Sequence, residues 1–158
     1  MMNLCCDVLK ALSGKELVTA ESCTGGGIGA ALTAIPGSSN VYKGGIICYT
    51  NFVKEQVLGV DHELITRFGA VSKEVAGEMA KGVYRLLNAD IALSVTGLAG
   101  PGGDDYGNQI GTVYIGCYTG TDLFVTEHHF PGDRDEVRQR AIEAALKLVL
   151  YVQKEPTD

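Results

Sequence analysis

Ser22 and Cys23 stand side by side in the run Ala20-Glu21-Ser22-Cys23-Thr24-Gly25-Gly26-Gly27, which gathers two hydroxyls, a carboxylate and a thiol. The run falls where a strand is expected to end and a helix to begin, the place at which open α/β sheets bind ligands. Backbone N–H groups at such a helix start, with glycines that let a ligand come close, can hold a developing oxyanion. The same residues would also make a plain N-cap and tight turn, and spacing alone leaves both readings open. Gly25, Gly27 and Ala30 further satisfy G-x-G-x-x-A. A dinucleotide site would then want an acidic residue at the end of the second strand, where Tyr49-Thr50 stands instead.

Neither nucleophile has a conventional base. His62 opens an expected helix, and His128 and His129 are adjacent on a strand, so their side chains point to opposite faces. The nucleophile-elbow pattern G-x-S-x-G is missing, because Ala20 occupies its first glycine position. A lysine can replace histidine when burial makes its neutral amine accessible. Lys54, five residues after Tyr49 in Tyr-Thr-Asn-Phe-Val-Lys, comes at the end of the strand expected beside the first. The plain alternative for Lys54 is a solvated helix lysine.

Two segments could grip an anion. Thr96-Gly97-Leu98-Ala99-Gly100-Pro101-Gly102-Gly103 follows a strand, and successive amides in such a loop can form a nest. Arg134 and Arg138 lie four apart on one face of the last helix, where either could clamp a phosphate or carboxylate or simply pair with Asp135 and Glu136.

The elements that must hold these residues follow from periodicity. Residues 3–12, 53–58, 62–68, 72–89 and 133–152 read as helices, and a further helix opens at the glycine run and ends at Pro36-Gly37. Residues 16–22 read as a strand, 45–49 as a buried strand, and 90–96, 111–119 and 122–130 as three more, with Gly120-Thr121 joining the last two as a hairpin. The order predicts one α/β/α layered domain over 1–158 with a mixed, mostly parallel sheet and a late antiparallel hairpin.

At 158 residues, 46% apolar and 20% charged, the composition is that of an ordinary globular chain, with glycine raised to 21 copies. A net charge of -6 argues against a broad nucleic-acid face. No apolar run is long enough to span a bilayer and no secretory leader is legible, so a cytoplasmic location is expected. Cys5, Cys6, Cys23, Cys48 and Cys117 are odd in number and contain no CxxC pair, which argues against disulfides and a zinc site. Neither a metal nor an organic cofactor is expected.

Taken together, the segments at 19–26, 49–60, 68–80, 96–103 and 132–141 resemble the CinA carboxyl-terminal domain family over almost the whole chain. That family includes nicotinamide-nucleotide amidohydrolases, which convert nicotinamide mononucleotide and water to nicotinate mononucleotide and ammonia. The resemblance implies Ser22 as nucleophile, Lys54 as its base and the Tyr49 hydroxyl as an aid to proton transfer. It implies substrate binding by Thr24, Gly25, Thr96, Gly97, Gly100, Gly102, Arg134 and Arg138, and a homodimer. The alternative activity is a phosphorylated-ligand-binding or competence-associated domain with little turnover. One stretch departs from the family pattern: Asp104-Asp105-Tyr106-Gly107-Asn108-Gln109 places acids beside the glycine loop, where they would retune binding.

Overall fold

The structure, a computed structural model, describes residues 1–154. Its helices are α1 (Met2–Ala11), α2 (Gly27–Thr33), α3 (Asn51–Gln56), α4 (His62–Phe68), α5 (Lys73–Leu87) and α6 (Arg134–Lys154). The strands are β1 (Leu17–Glu21), β2 (Tyr42–Ile47), β3 (Ile91–Gly97), β4 (Thr112–Tyr118) and β5 (Leu123–His129), in sheet order β2-β1-β3-β4-β5. β1 runs parallel to both β2 and β3, whereas β3–β4 and β4–β5 are antiparallel. Four strands therefore point one way and β4 alone opposes them, which is the mixed α/β sheet with a terminal hairpin that the element order predicts.

Every residue of β1 is buried, as a strand covered by helices on both faces must be. Leu17 joins the cluster built by Val8, Ile28, Val137 and Leu146 of α1, α2 and α6. Val18 and Ala20 join Val75, Met79 and Val83 of α5 on the other face. With a side-chain period of two, Glu21 falls on the α2 side and Ser22, the next residue, on the side of α3 and α5.

The second strand differs from expectation. Residues 45–49 read as a buried run, but β2 spans Tyr42–Ile47 at the sheet edge, half-buried and exposed in alternation, and Ile47 is 56% exposed. The strand starts early because Tyr42 packs on the α1–α2 side and its hydroxyl lies 2.7 Å from Thr19 Oγ1. It requires glycine at 45 because a Cβ there would collide with Thr19 Oγ1. It ends early because the chain then turns, carrying the buried Cys48 inward.

Helix ends follow local chemistry. Ser72 caps α5 through Val75 N at 3.2 Å, and Asn88 closes it in the left-handed region at φ 51°. Asp133 caps α6: Glu136 N donates to its carboxylate at 2.9 Å, while Asp133 N donates to the Glu136 carboxylate at 3.3 Å. This reciprocal box starts the helix at Arg134. Among the described residues, no helix is long and apolar enough to cross a membrane.

Candidate active site

Ser22 follows β1 directly, and its amide donates to Val95 O at 2.9 Å, which ties it to the neighbouring strand β3. The turn beyond it needs left-handed backbone at Gly25 (φ +59°) and Gly26 (φ +99°), which only glycine adopts without strain. α2 then begins at Gly27, where a Cβ would press into Ile142 of α6.

Lys54, on α3, is 1% exposed and brings its amine to the Ser22 hydroxyl, with Nζ to Oγ at 2.9 Å. Two other atoms complete the surroundings of Nζ, Cys48 O at 2.9 Å and Tyr49 O at 3.3 Å. All three partners are neutral. Burial therefore pushes the Lys54 pKa down from its usual value. The Cys48 and Cys23 thiols would oppose this only as thiolates, and burial pushes them up to about 11 and about 12, so at neutral pH they carry no charge. A neutral amine has two N–H donors and one lone pair, which suits two carbonyls and one hydroxyl. In the charged state Nζ donates to Ser22 Oγ instead, and the Ser22 proton turns to Tyr49 O, 3.5 Å away.

Tyr49 meets the dyad through its main chain. Its hydroxyl, the expected proton-transfer group, accepts from Arg134 Nη2 at 2.9 Å, on a side chain 56% exposed. Arg134 Nη1 donates to Gly100 O at 2.7 Å, so this guanidinium joins the segment after β2 to the glycine loop.

Ser22, Lys54, Tyr49, Thr96, Gly97, Gly100, Gly102 and Arg134 all line one cleft of about 510 Å³. Thr96 Oγ1 donates to Ala70 O at 2.8 Å, fixing a further wall formed by Ala70 and Val71. The amides of Ala99, Gly100, Gly102 and Gly103 find no acceptor among the described residues, which leaves them available to an anion. Thr24, Gly25 and Arg138 are placed elsewhere. Thr24 is fully buried and donates to the Glu21 carboxylate at 2.8 Å, and Gly25 stands against the Arg138 guanidinium. Arg138 itself donates to Cys23 O at 3.0 Å and Thr24 O at 3.2 Å, so it braces the turn and lies outside the cleft lining.

A second cavity, about 610 Å³, lies across Val71 and is lined by Arg67, Lys73, Glu74, Tyr106 and Glu127. It is larger, but it holds no hydroxyl paired with a buried amine, so the smaller cleft is the candidate site. The atypical loop sits at that second cavity. Asp104 accepts from Tyr106 N, Asn108 N and Asn108 Nδ2 at 3.1, 3.2 and 2.7 Å, so its carboxylate is consumed within its own turn. The Tyr106 hydroxyl docks the loop on Thr66 O at 2.7 Å.

Residue types could not announce the carbonyls of Cys48 and Tyr49 or the Ala70–Val71 wall, because backbone atoms carry no signature. Proximity to Lys54 in the chain was the sole hint for the first pair.

Residues 2–152 match the family model of the CinA C-terminal domain. The chain belongs to that family. Among curated relatives, a CinA-like protein of Petrotoga mobilis is 46% identical over 138 residues, 87% of this chain and 34% of the relative. A putative competence-damage inducible protein of Bacillus subtilis is 45% identical over 137 residues, 87% of this chain and 33% of the relative. This CinA C-terminal domain thus spans about a third of the length of the curated relatives it matches. A solved CinA superfamily protein from Klebsiella pneumoniae superposes with a TM-score of 0.94 at 33% identity, covering 96% of each chain. A competence/damage inducible protein from Agrobacterium tumefaciens gives 0.92 at 36% identity, covering 98% of this chain and 95% of that one.

In this CinA domain Cys23 lines the cleft, but burial pushes its thiol up to about 12, which leaves no thiolate at neutral pH, whereas the Ser22 hydroxyl has the Lys54 amine beside it. Cys23→Ala is expected to keep activity within about threefold of wild type, because large losses come from removing reacting groups. A dead Cys23→Ala variant whose wild-type parent accumulates an acyl group on sulfur would reverse the assignment.

Proposed function

We propose that this domain is an amidohydrolase that converts nicotinamide mononucleotide to nicotinate mononucleotide and ammonia through a Ser22–Lys54 dyad. The observation that carries the reading is the buried Lys54 amine, 2.9 Å from the Ser22 hydroxyl and surrounded only by neutral partners. A lysine kept out of water without a counter-charge is costly as a structural device and useful as a base.

Ser22 Oγ attacks the carboxamide carbon as its proton passes to Lys54 Nζ. The carbonyl oxygen becomes an oxyanion, which a backbone N–H of the turn beside Ser22 would stabilise. Lys54 returns the proton to the amine as the C–N bond breaks, releasing ammonia and leaving an ester on Ser22. Water, deprotonated by Lys54, then attacks the ester; Lys54 passes that proton to the departing Ser22 Oγ, and the acid leaves as its carboxylate after losing its own proton to solvent. The cleft volume of about 510 Å³ is of the size that holds a small-molecule ligand. Names of the relatives refer to competence and damage, and they specify no reaction.

The substrate's phosphate is assigned to the loop amides and Arg134, whose guanidinium reaches the cleft while that of Arg138 does not. A charge-assisted contact contributes roughly 1.5 to 3 kcal/mol, or about tenfold to a hundredfold in affinity. Arg134→Ala is therefore expected to erode the preference for the mononucleotide over the unphosphorylated riboside by about that factor, largely through KM. Ammonia release from mononucleotide, riboside and free nicotinamide, read as kcat/KM, tests the whole reading. Absence of ammonia from all three would reject the amidase, and equal values for riboside and mononucleotide would remove the phosphate site. We further propose a cytoplasmic homodimer, which a solution mass at monomer value would reject.

A further inference from the structure

Glu21 is a carboxylate 2% exposed at the end of the fully buried strand β1, and no step of the proposed reaction uses it. Such a group is tolerable only with its oxygens satisfied. One oxygen accepts from Ile28 N and Thr24 Oγ1, each at 2.8 Å, and the other from Gly29 N at 3.1 Å and Thr19 Oγ1 at 3.4 Å. Two of these donors are the first free amides of α2, and the third is the hydroxyl at the crest of the Ser22 turn. A group that only accepts matches all four.

The other bonds of the turn are made by the main chain and by Arg138, which donates to Cys23 O and Thr24 O. Glu21 O accepts from Cys48 N at 2.9 Å and Ser22 O from Gly25 N at 3.1 Å, while Thr24 O takes Gly27 N at 2.9 Å. Among the described residues, Glu21 is the side chain that bonds both the turn and the start of α2, whereas Arg138 bonds the turn alone. We infer that Glu21 is a positioning residue for the nucleophile, holding the Ser22–Gly27 turn so that the Ser22 hydroxyl stays on Lys54. The inference rests on Ser22 being the nucleophile, and the test separates the two.

Glu21→Gln keeps size and shape but sets an NH₂ against an amide donor on one side of the site. The variant is expected to fold, with kcat lowered about thirtyfold to a hundredfold and KM within about threefold, because displacement of a reacting group by an ångström is felt in the chemical step. The rate at which a fluorophosphonate ester labels the Ser22 hydroxyl, located by mass spectrometry, falls in parallel. Thr24→Val loses part of the same rate, Thr24→Ser regains most of that loss, and the Glu21→Gln/Thr24→Val double variant is less impaired than the product of the single losses.

A folded Glu21→Gln variant with kcat and labelling within about threefold of wild type would overturn the inference, as would a loss confined to KM. If Glu21→Gln fails to fold, the Thr24 pair decides: equal labelling rates in the Val and Ser variants overturn it, and the ordered loss supports it. Should wild type release no ammonia while labelling of Ser22 still slows in the variants, the amidase reading fails and the positioning role stands.

Discussion

Ser22→Ala is expected to lower ammonia release by on the order of 10⁴ or more, because no second nucleophile can form the acyl ester. Cys23, its neighbour, is held as a neutral thiol by burial. The alanine costs the fold little: Ser22 is 7% exposed, and its amide bond to Val95 O is made by the main chain. Mononucleotide affinity by calorimetry should stay within about threefold, since loss of a group acting only in the chemical step leaves ground-state binding largely intact. Activity retained within about threefold would rule out the serine as nucleophile.

Lys54→Met is expected to cost about 10³ in kcat, within the range that a positioned general base supplies. Lys54→Arg should be no better, since a guanidinium does not become a neutral base at ordinary pH. The wild-type pH profile provides the complementary measurement. Burial disfavours the charged form of Lys54 and lowers its pKa from the usual lysine value of 10.5. The active form is the neutral amine, so kcat/KM rises with pH through that lowered pKa and is level above it. The rising limb vanishes in Lys54→Met if Lys54 is the base. An active arginine variant with an unchanged profile would instead make residue 54 an anchor.

Topology made Ser22 and Lys54 candidates for one site, and the family resemblance was needed to choose Lys54 as a base over a solvated helix lysine. A strand ending in Ser22 before a glycine turn, beside a second strand that leads to Lys54, must present both at one sheet end. That Tyr49 meets Lys54 through its carbonyl was not legible, because a residue letter advertises the hydroxyl and hides the main chain. The two arginines show a different limit. They share one helix face, but the Asp133–Glu136 box starts α6 at Arg134, which leaves that residue at the cleft and sets Arg138 one turn back against Cys23 and Thr24. β2 was misjudged because an apolar run speaks to hydrophobicity and not to sheet order; at an edge the same residues alternate in exposure. Glu21 passed as one member of a polar cluster, since two of its four partners are amides of a helix that begins six residues further on.

The ligands of the Lys54 amine, apart from the serine, are the carbonyl oxygens of residues 48 and 49. Main-chain atoms are common to all amino acids, so drift in the side chains at 48 and 49 leaves the base in the same surroundings as long as the path of the chain is kept. The proposed grip on the substrate is different, for it relies on an exposed arginine and a surface loop, where residues are exchanged more readily than in the core. Divergence within such a scaffold would therefore run through what is bound sooner than through how it is cleaved, and descendants could trade substrates while inheriting one reaction.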